Sequence, residues 1–167
     1  MVFIRRTDAE SMLLIANVDG SGERHLGSWK GSGGFRAADW SPDGKTIAYM
    51  VQSLTGGIRY RLAIKPAAGG PERNIASWRR LPQSAGLRWL PDGHGLLVTA
   101  EGGQVWYVAY PGGQLRQITN DLSTYSSPSL AADLSELVAV QTETDFRIWV
   151  VSSDGAAAPR AFTRSVP

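Results

Sequence analysis

The pattern Trp-x-Pro-Asp-Gly occurs twice, at Trp40 to Gly44 and at Trp89 to Gly93, and the second copy follows the first by 49 residues. A repeat of that period constrains a chain more than its composition does. Each copy must be one supersecondary unit, and its apolar faces are buried only by stacking on neighbouring units. The match runs on past the turn, from Trp40-Ser41-Pro42-Asp43-Gly44-Lys45-Thr46-Ile47-Ala48-Tyr49 to Trp89-Leu90-Pro91-Asp92-Gly93-His94-Gly95-Leu96-Leu97-Val98. A degenerate third copy, Leu130-Ala131-Ala132-Asp133-Leu134-Ser135-Glu136-Leu137-Val138-Ala139, lies 41 residues further on.

Each copy is followed by a second apolar run, a turn, and a closing segment that ends in a large apolar residue. The second runs are Arg61 to Ile64, Val105 to Val108 and Ile148 to Val151. Their turns are Gly69-Gly70, Gly112-Gly113 and Asp154-Gly155, and the closing segments end at Ile75, Ile118 and Phe162. The same tail appears near the start, where Val2-Phe3-Ile4 precedes Met12 to Ile15, Asp19-Gly20 and Glu23 to Leu26. The chain therefore divides into four units, about 1–31, 32–80, 81–122 and 123–167, of which the first lacks its opening strand.

Proline presets φ at the first central turn position and glycine takes a positive φ without strain, so Pro-Asp-Gly between apolar runs predicts an antiparallel hairpin. Leu134 stands where glycine is expected, which predicts a different geometry for the third turn. The runs Ile47 to Val51, Leu96 to Val98 and Leu137 to Val140 are apolar at consecutive positions, so both faces of those strands are expected to be covered. No window of eleven or more residues keeps a helical apolar stripe free of Gly or Pro, so any helix is expected to be a single turn in a linker. The predicted fold is all-β: a partial β-propeller of about four blades of four-stranded antiparallel sheet, with the first blade incomplete. A β-sandwich also has short strands, but it gives no reason for one turn to recur at one spacing.

Composition narrows the function classes. Seventeen basic and fifteen acidic residues leave a formal charge of +2, too little to act as an electrostatic device, so no nucleic-acid partner is expected. Zero cysteines exclude disulfides, thiolate metal sites and thiol nucleophiles. No run approaches the roughly 18 apolar residues that cross a bilayer, so no membrane insertion by this chain is expected.

Gly-x-Ser-x-Gly, the phosphate-loop motif and His-Glu-x-x-His are absent, and neither His25 nor His94 has ligand-spaced partners. No enzyme activity, metal or cofactor is expected. Gly31-Ser32-Gly33-Gly34 precedes a strand rather than a helix and reads as an interblade connection. Asp39, Asp43, Asp92 and Asp133 recur with the repeat, which points to capping of local backbone amides. Trp40, Pro42, Asp43, Gly44, Trp89, Pro91, Asp92, Gly93 and Asp133 form the structural set, and Trp106 and Trp149 join it as interblade core. Trp29 and Trp78 lie just after closing segments and, with Arg79 and Arg80, are the candidate surface contacts. Arg73 and Arg88 complete the densest basic and aromatic cluster.

These units resemble the PD40, or WD40-like, repeats of the TolB-type β-propeller family, whose signature is a Trp-Ser-Pro-Asp-Gly-Lys turn followed by Ile-Ala-Phe/Tyr. Trp40 to Tyr49 carries most of the resemblance, Trp89 to Val98 supports it, and Leu130 to Ala139 departs from it at Leu134. The stretch from Val105 to Val140, with Ile118-Thr119-Asn120-Asp121-Leu122, is similar to propeller regions attached to bacterial serine/threonine kinases. The resemblance implies a six-bladed or larger ring, of which this chain would supply a part.

It also implies a non-catalytic module for protein–protein interaction or ligand sensing, with a periplasmic or extracytoplasmic location. The alternative is the gating propeller of a prolyl-oligopeptidase-like serine peptidase whose catalytic domain lies outside this chain. An incomplete ring exposes its end blades, so the expected partners are a protein or the remaining blades of the same ring. A fragment of a longer chain is the first expectation, self-association through open blade edges the second, and four-bladed closure the third.

Overall fold

The computed structural model describes residues 1–79, 86–143, 148–154 and 158–162. Among these residues, fifteen short strands and one single-turn 3-10 helix, Glu101–Gly103, make up the regular structure. The first antiparallel sheet holds β1 (Val2–Arg6), β2 (Glu10–Ile15) and β3 (Arg24–Lys30) in that order. The second holds β4 (Gly33–Trp40), β5 (Thr46–Ser53), β6 (Arg59–Pro66) and β7 (Arg73–Trp78). The third holds β8 (Leu87–Trp89), β9 (Gly95–Ala100), β10 (Gln104–Ala109) and β11 (Leu115–Gln117). Strands are neighbours in chain order because each connection is too short to cross over. The result is a partial β-propeller whose first blade lacks one strand.

The Pro-Asp-Gly turns build the same hairpin corner each time. At the first, the Ser41 amide donates to Thr46 O at 2.8 Å and the Gly44 amide to Ser41 O at 2.9 Å. The Asp43 carboxylate accepts from the Lys45 amide at 3.0 Å, and its hydrogen bond from the Ser41 hydroxyl holds the carboxyl below its usual range. The second turn repeats these bonds, with Leu90 N to Gly95 O at 2.9 Å, Gly93 N to Leu90 O at 2.9 Å and His94 N to Asp92 Oδ1 at 2.9 Å. The third turn does so too, against expectation: Ala131 N to Glu136 O, Leu134 N to Ala131 O and Ser135 N to Asp133 Oδ1 are each 3.0 Å.

Leu134 accordingly takes φ 62°, beside 67° at Gly44 and 72° at Gly93. The turn's bonding pattern and the paired strands outweigh a side-chain clash of about 1–2 kcal/mol. Leu134→Gly should therefore raise the unfolding free energy by about 1 kcal/mol, net of glycine's greater unfolded-state entropy. Urea titration reads this, and a loss of stability would show that the leucine contributes packing the turn geometry does not reveal.

Two cores explain the uninterrupted apolar runs. Along β5, Ile47, Tyr49 and Val51 enter a core shared with Leu13, Ile15 and Leu26 of the first sheet. The alternate residues Ala48 and Met50 enter a second core with Leu62, Leu87, Leu96 and Val98. A strand between two sheets has no wet face. Leu62, fully buried, contributes on the order of 2–3 kcal/mol by leaving water. Strand β9 is buried at every position.

The C-terminal unit departs from the expected four-stranded sheet. Among the described residues it consists of two separate pairs, β12 (Thr124–Leu130) with β13 (Leu137–Thr142), and β14 (Trp149–Val150) with β15 (Arg160–Ala161). β12 packs on β8, β9 and β10 of the third sheet. β13 is not covered on both faces as its composition predicted: Val138 is 68% and Val140 57% exposed. Nothing among the described residues lies beyond it to continue the stack. Trp149, expected in the interblade core, is 54% exposed for the same reason.

Candidate functional site

Antiparallel connectivity sorts the loops onto two faces. The Pro-Asp-Gly turns and the β2–β3, β6–β7 and β10–β11 turns share one face. The β1–β2, β5–β6 and β9–β10 connections and the β3–β4 and β11–β12 links share the other. On this second face, at the rim of the second sheet, a cavity of about 470 Å³ is lined by Val51, Ser53, Arg59, Tyr60, Arg61, Ser77, Trp78, Arg79 and Glu101. The ends of β5 and β7 and the start of β6 converge there because they are adjacent strands, and the 3-10 turn brings Glu101 from the third sheet.

The cavity's arginines differ in their bonding. Arg61 Nη1 is 2.7 Å from Glu72 Oε1, and Glu72 also accepts from the Tyr49 hydroxyl. Burial opposes ionisation of Glu72, yet these two donors outweigh it and hold the carboxyl below its usual range. Burial and the bond to Glu72 push the Tyr49 phenol up. Arg59 and Arg79 are exposed and form no ion pair with a described residue.

The predicted surface cluster is thus partly assembled and partly dispersed. Trp78 is not a surface side chain: it is 4% exposed, because β7 continues to its position and strand alternation turns it with Ala76 into the second core. Trp29, at the end of β3, is half-buried against the first core. Arg79 lines the cavity, and Arg80 lies outside the described residues. Arg73 sits at the opposite end of β7, donating to Pro111 O at 3.3 Å with its guanidinium 5.8 Å from the Tyr110 ring. Arg88 meets Asp39 at 3.4 Å. Arg59 and Arg61, which complete the cavity, carry no local signal in the sequence; only strand pairing brings them beside Ser77 and Trp78.

Asp39, expected to cap local backbone amides as Asp43, Asp92 and Asp133 do, instead reaches the next blade. Its Oδ2 accepts from the Trp89 amide at 2.8 Å, joining the second blade to the third across 50 residues of chain. Trp89 is 7% exposed and meets Tyr110 edge-on at 4.9 Å, whereas Trp40 and Trp106 are partly buried against the two cores. Pro42, Gly44, Pro91 and Gly93 occupy the hairpin corners.

A second feature is the end of the arc. Ile148, Val150, Val151 and Phe162 are 59%, 40%, 60% and 66% exposed, and Val138, Val140 and Trp149 are exposed as well. The opposite end is dressed differently. Arg5 lies 5.6 Å from the Phe3 ring centroid and pairs with Glu23 at 2.6 Å, which presents charge to water.

Successive antiparallel sheets stacked through two shared cores, with repeated corner turns, define a β-propeller arc. Solved structures contain the same arrangement. An oligogalacturonate lyase in complex with manganese aligns with TM-score 0.57 at 16% identity, over 93% of this chain and 40% of that one. The periplasmic gluconolactonase of Pseudomonas aeruginosa aligns with TM-score 0.54 at 18% identity, over 93% and 50%. TolB from Acinetobacter baumannii aligns with TM-score 0.46 at 18% identity, over 97% and 52%. At these identities the likeness is one of fold. The chain spans about half the length of these structures, from 40% to 52%. No protein-family model and no curated protein matches the sequence.

Proposed function

We propose that this chain is a non-catalytic module of a TolB-like propeller, acting in protein–protein interaction or ligand sensing, and that its open end is covered by further blades of the same ring. The supporting observation is the contrast between sealed and open strands. β5 and β9 are buried on both faces, while β13 and β14, of the same apolar type, are wet. Strands that are apolar on both faces suit a neighbour on each side. Further propeller blades fit this end, because the lyase and the lactonase, which share the fold, are about twice as long or longer.

The histidines support a structural reading. The His94 imidazole is 80% exposed and 3.3 Å from Asp92 within one hairpin turn, and His25 lies exposed on β3. A bacterial envelope location follows from the resemblance to TolB-type and kinase-attached propellers.

Light scattering coupled to size exclusion tests the proposal. The chain alone should run above 18.0 kDa, with an apparent mass that rises with concentration and binding of an apolar dye. The double substitution Val138→Glu and Val151→Glu should return it to the monomer mass and abolish the dye signal. A dye-silent monomer at all concentrations overturns the open-end reading, and turnover of a lactone or peptide substrate overturns the non-catalytic one.

A further inference from the structure

We propose that the cavity at the rim of the second blade is a binding site for an organic carboxylate carried on an apolar body. This goes beyond the ring-completion reading and stands whether or not the C-terminal end is covered.

Charge and wall chemistry select the ligand. Among the nine described lining residues three are arginines and Glu101 is the only carboxylate. Arg61 is already neutralised by Glu72 at 2.7 Å, outside the lining. Arg59 and Arg79 remain, both exposed and without an ion pair to a described residue. A guanidinium is a planar fork of donors that matches a carboxylate bidentately and is weakly hydrated, so its exchange of water for an anion is favourable.

The floor is of another kind. The partly buried Tyr60 ring and the aliphatic stems of the arginines form its apolar wall, while Val51 and Trp78, 1% and 4% exposed in the first and second cores, close the cavity from behind. Such a wall leaves a fully hydrated inorganic anion without contacts but receives an aromatic or branched group. A volume of about 470 Å³ holds a group of that size together with its carboxylate. Ser53 and Ser77 add hydroxyls that can donate to the second oxygen.

The ligand chemistry has two sources, a free aryl-alkyl acid or the C-terminal carboxylate of a peptide. Ligand-observed NMR titrations of the full chain with phenylpropionate, with its neutral analogue phenylpropanol, and with acetylated alanyl-phenylalanine as acid and as amide separate them. The acid of at least one pair should bind about tenfold more tightly than its neutral partner. Binding of phenylpropionate alone assigns a small-molecule acid, and binding of the peptide acid alone assigns a chain terminus.

Arg59→Gln and Arg79→Gln, both at exposed positions, should each weaken the acid about tenfold, and Arg116→Gln, away from the cavity, should leave it unchanged. Glu101→Gln should tighten it about threefold by removing a like charge, an effect that loss of structure does not produce. Equal binding of acids and neutral partners, no binding of either acid, or indifference to both arginine substitutions overturns the proposal. None of these outcomes bears on the oligomeric test of ring completion.

Discussion

Alanine at position 33 is expected to lower the unfolding free energy by about 3 kcal/mol or more, while alanine at position 44 costs only about 1 kcal/mol. Both glycines have positive φ, but 67° at Gly44 lies in the left-handed region an L residue enters at modest cost, whereas 124° at Gly33 lies outside it. Space widens the difference. A Cβ on Gly33 would lie 2.1 Å from Gln52 O and 3.2 Å from Trp29 Nε1, whereas one on Gly44 meets nothing within 4 Å.

The Gln52 carbonyl cannot move freely, because Gly33 pairs with Ser53 and Gly34 with Gln52 at the end of the β4–β5 ladder. Relief would shift that end of β5, the strand whose side chains enter both cores. Urea titration followed by tryptophan fluorescence compares the two variants. Equal losses would show that the close approach at Gly33 is relieved without cost to the ladder.

The second large effect is expected at Gln104, which is 6% exposed and fully engaged. Its Nε2 donates to Ser123 O at 2.7 Å and Asp121 O at 3.1 Å, and its Oε1 accepts from the Thr119 hydroxyl at 2.7 Å and the Asp121 amide at 3.4 Å. One side chain thus pins the link between the third and fourth units. Gln104→Met preserves length and volume but leaves two carbonyls, a hydroxyl and an amide without that partner. At about 1–3 kcal/mol for each group left buried and unsatisfied, with water reaching some of them, the net loss should be about 3 kcal/mol.

Hydrogen exchange gives the local signature. Protection of the Asp121 and Ser123 amides should fall far more than that of β5 in the second sheet. A uniform change across the chain would mean that the link is held by the strands and not by Gln104.

The repeat made much of this fold readable in advance. Pro42-Asp43-Gly44 and Pro91-Asp92-Gly93 specify their corners locally, and the apolar runs of β5 and β9 announce strands covered on both faces. Leu134 shows where local reading stops, since the corner it occupies is imposed by the ladder around it. Gly33 is another such case. It reads as linker, but lies within β4 under a carbonyl from β5.

The candidate site was less legible. Arg79 was singled out from the sequence, but Arg59 and Arg61 lie 18 or more positions away and join it only through strand pairing. Trp78 changed role because one further residue of strand decides whether an indole faces water or core.

By itself the chain's order of residues determined that the blades are built of short strands joined at Pro-Asp-Gly corners, which interactions within a few positions set. The stacking of those blades decided what the order could not. It chose which apolar strands are sealed and which stay wet, which arginines share a cavity, and which aspartate bridges two sheets. Each of these depends on a neighbour distant in sequence, and burial and ion pairing are properties of that neighbour as much as of the residue.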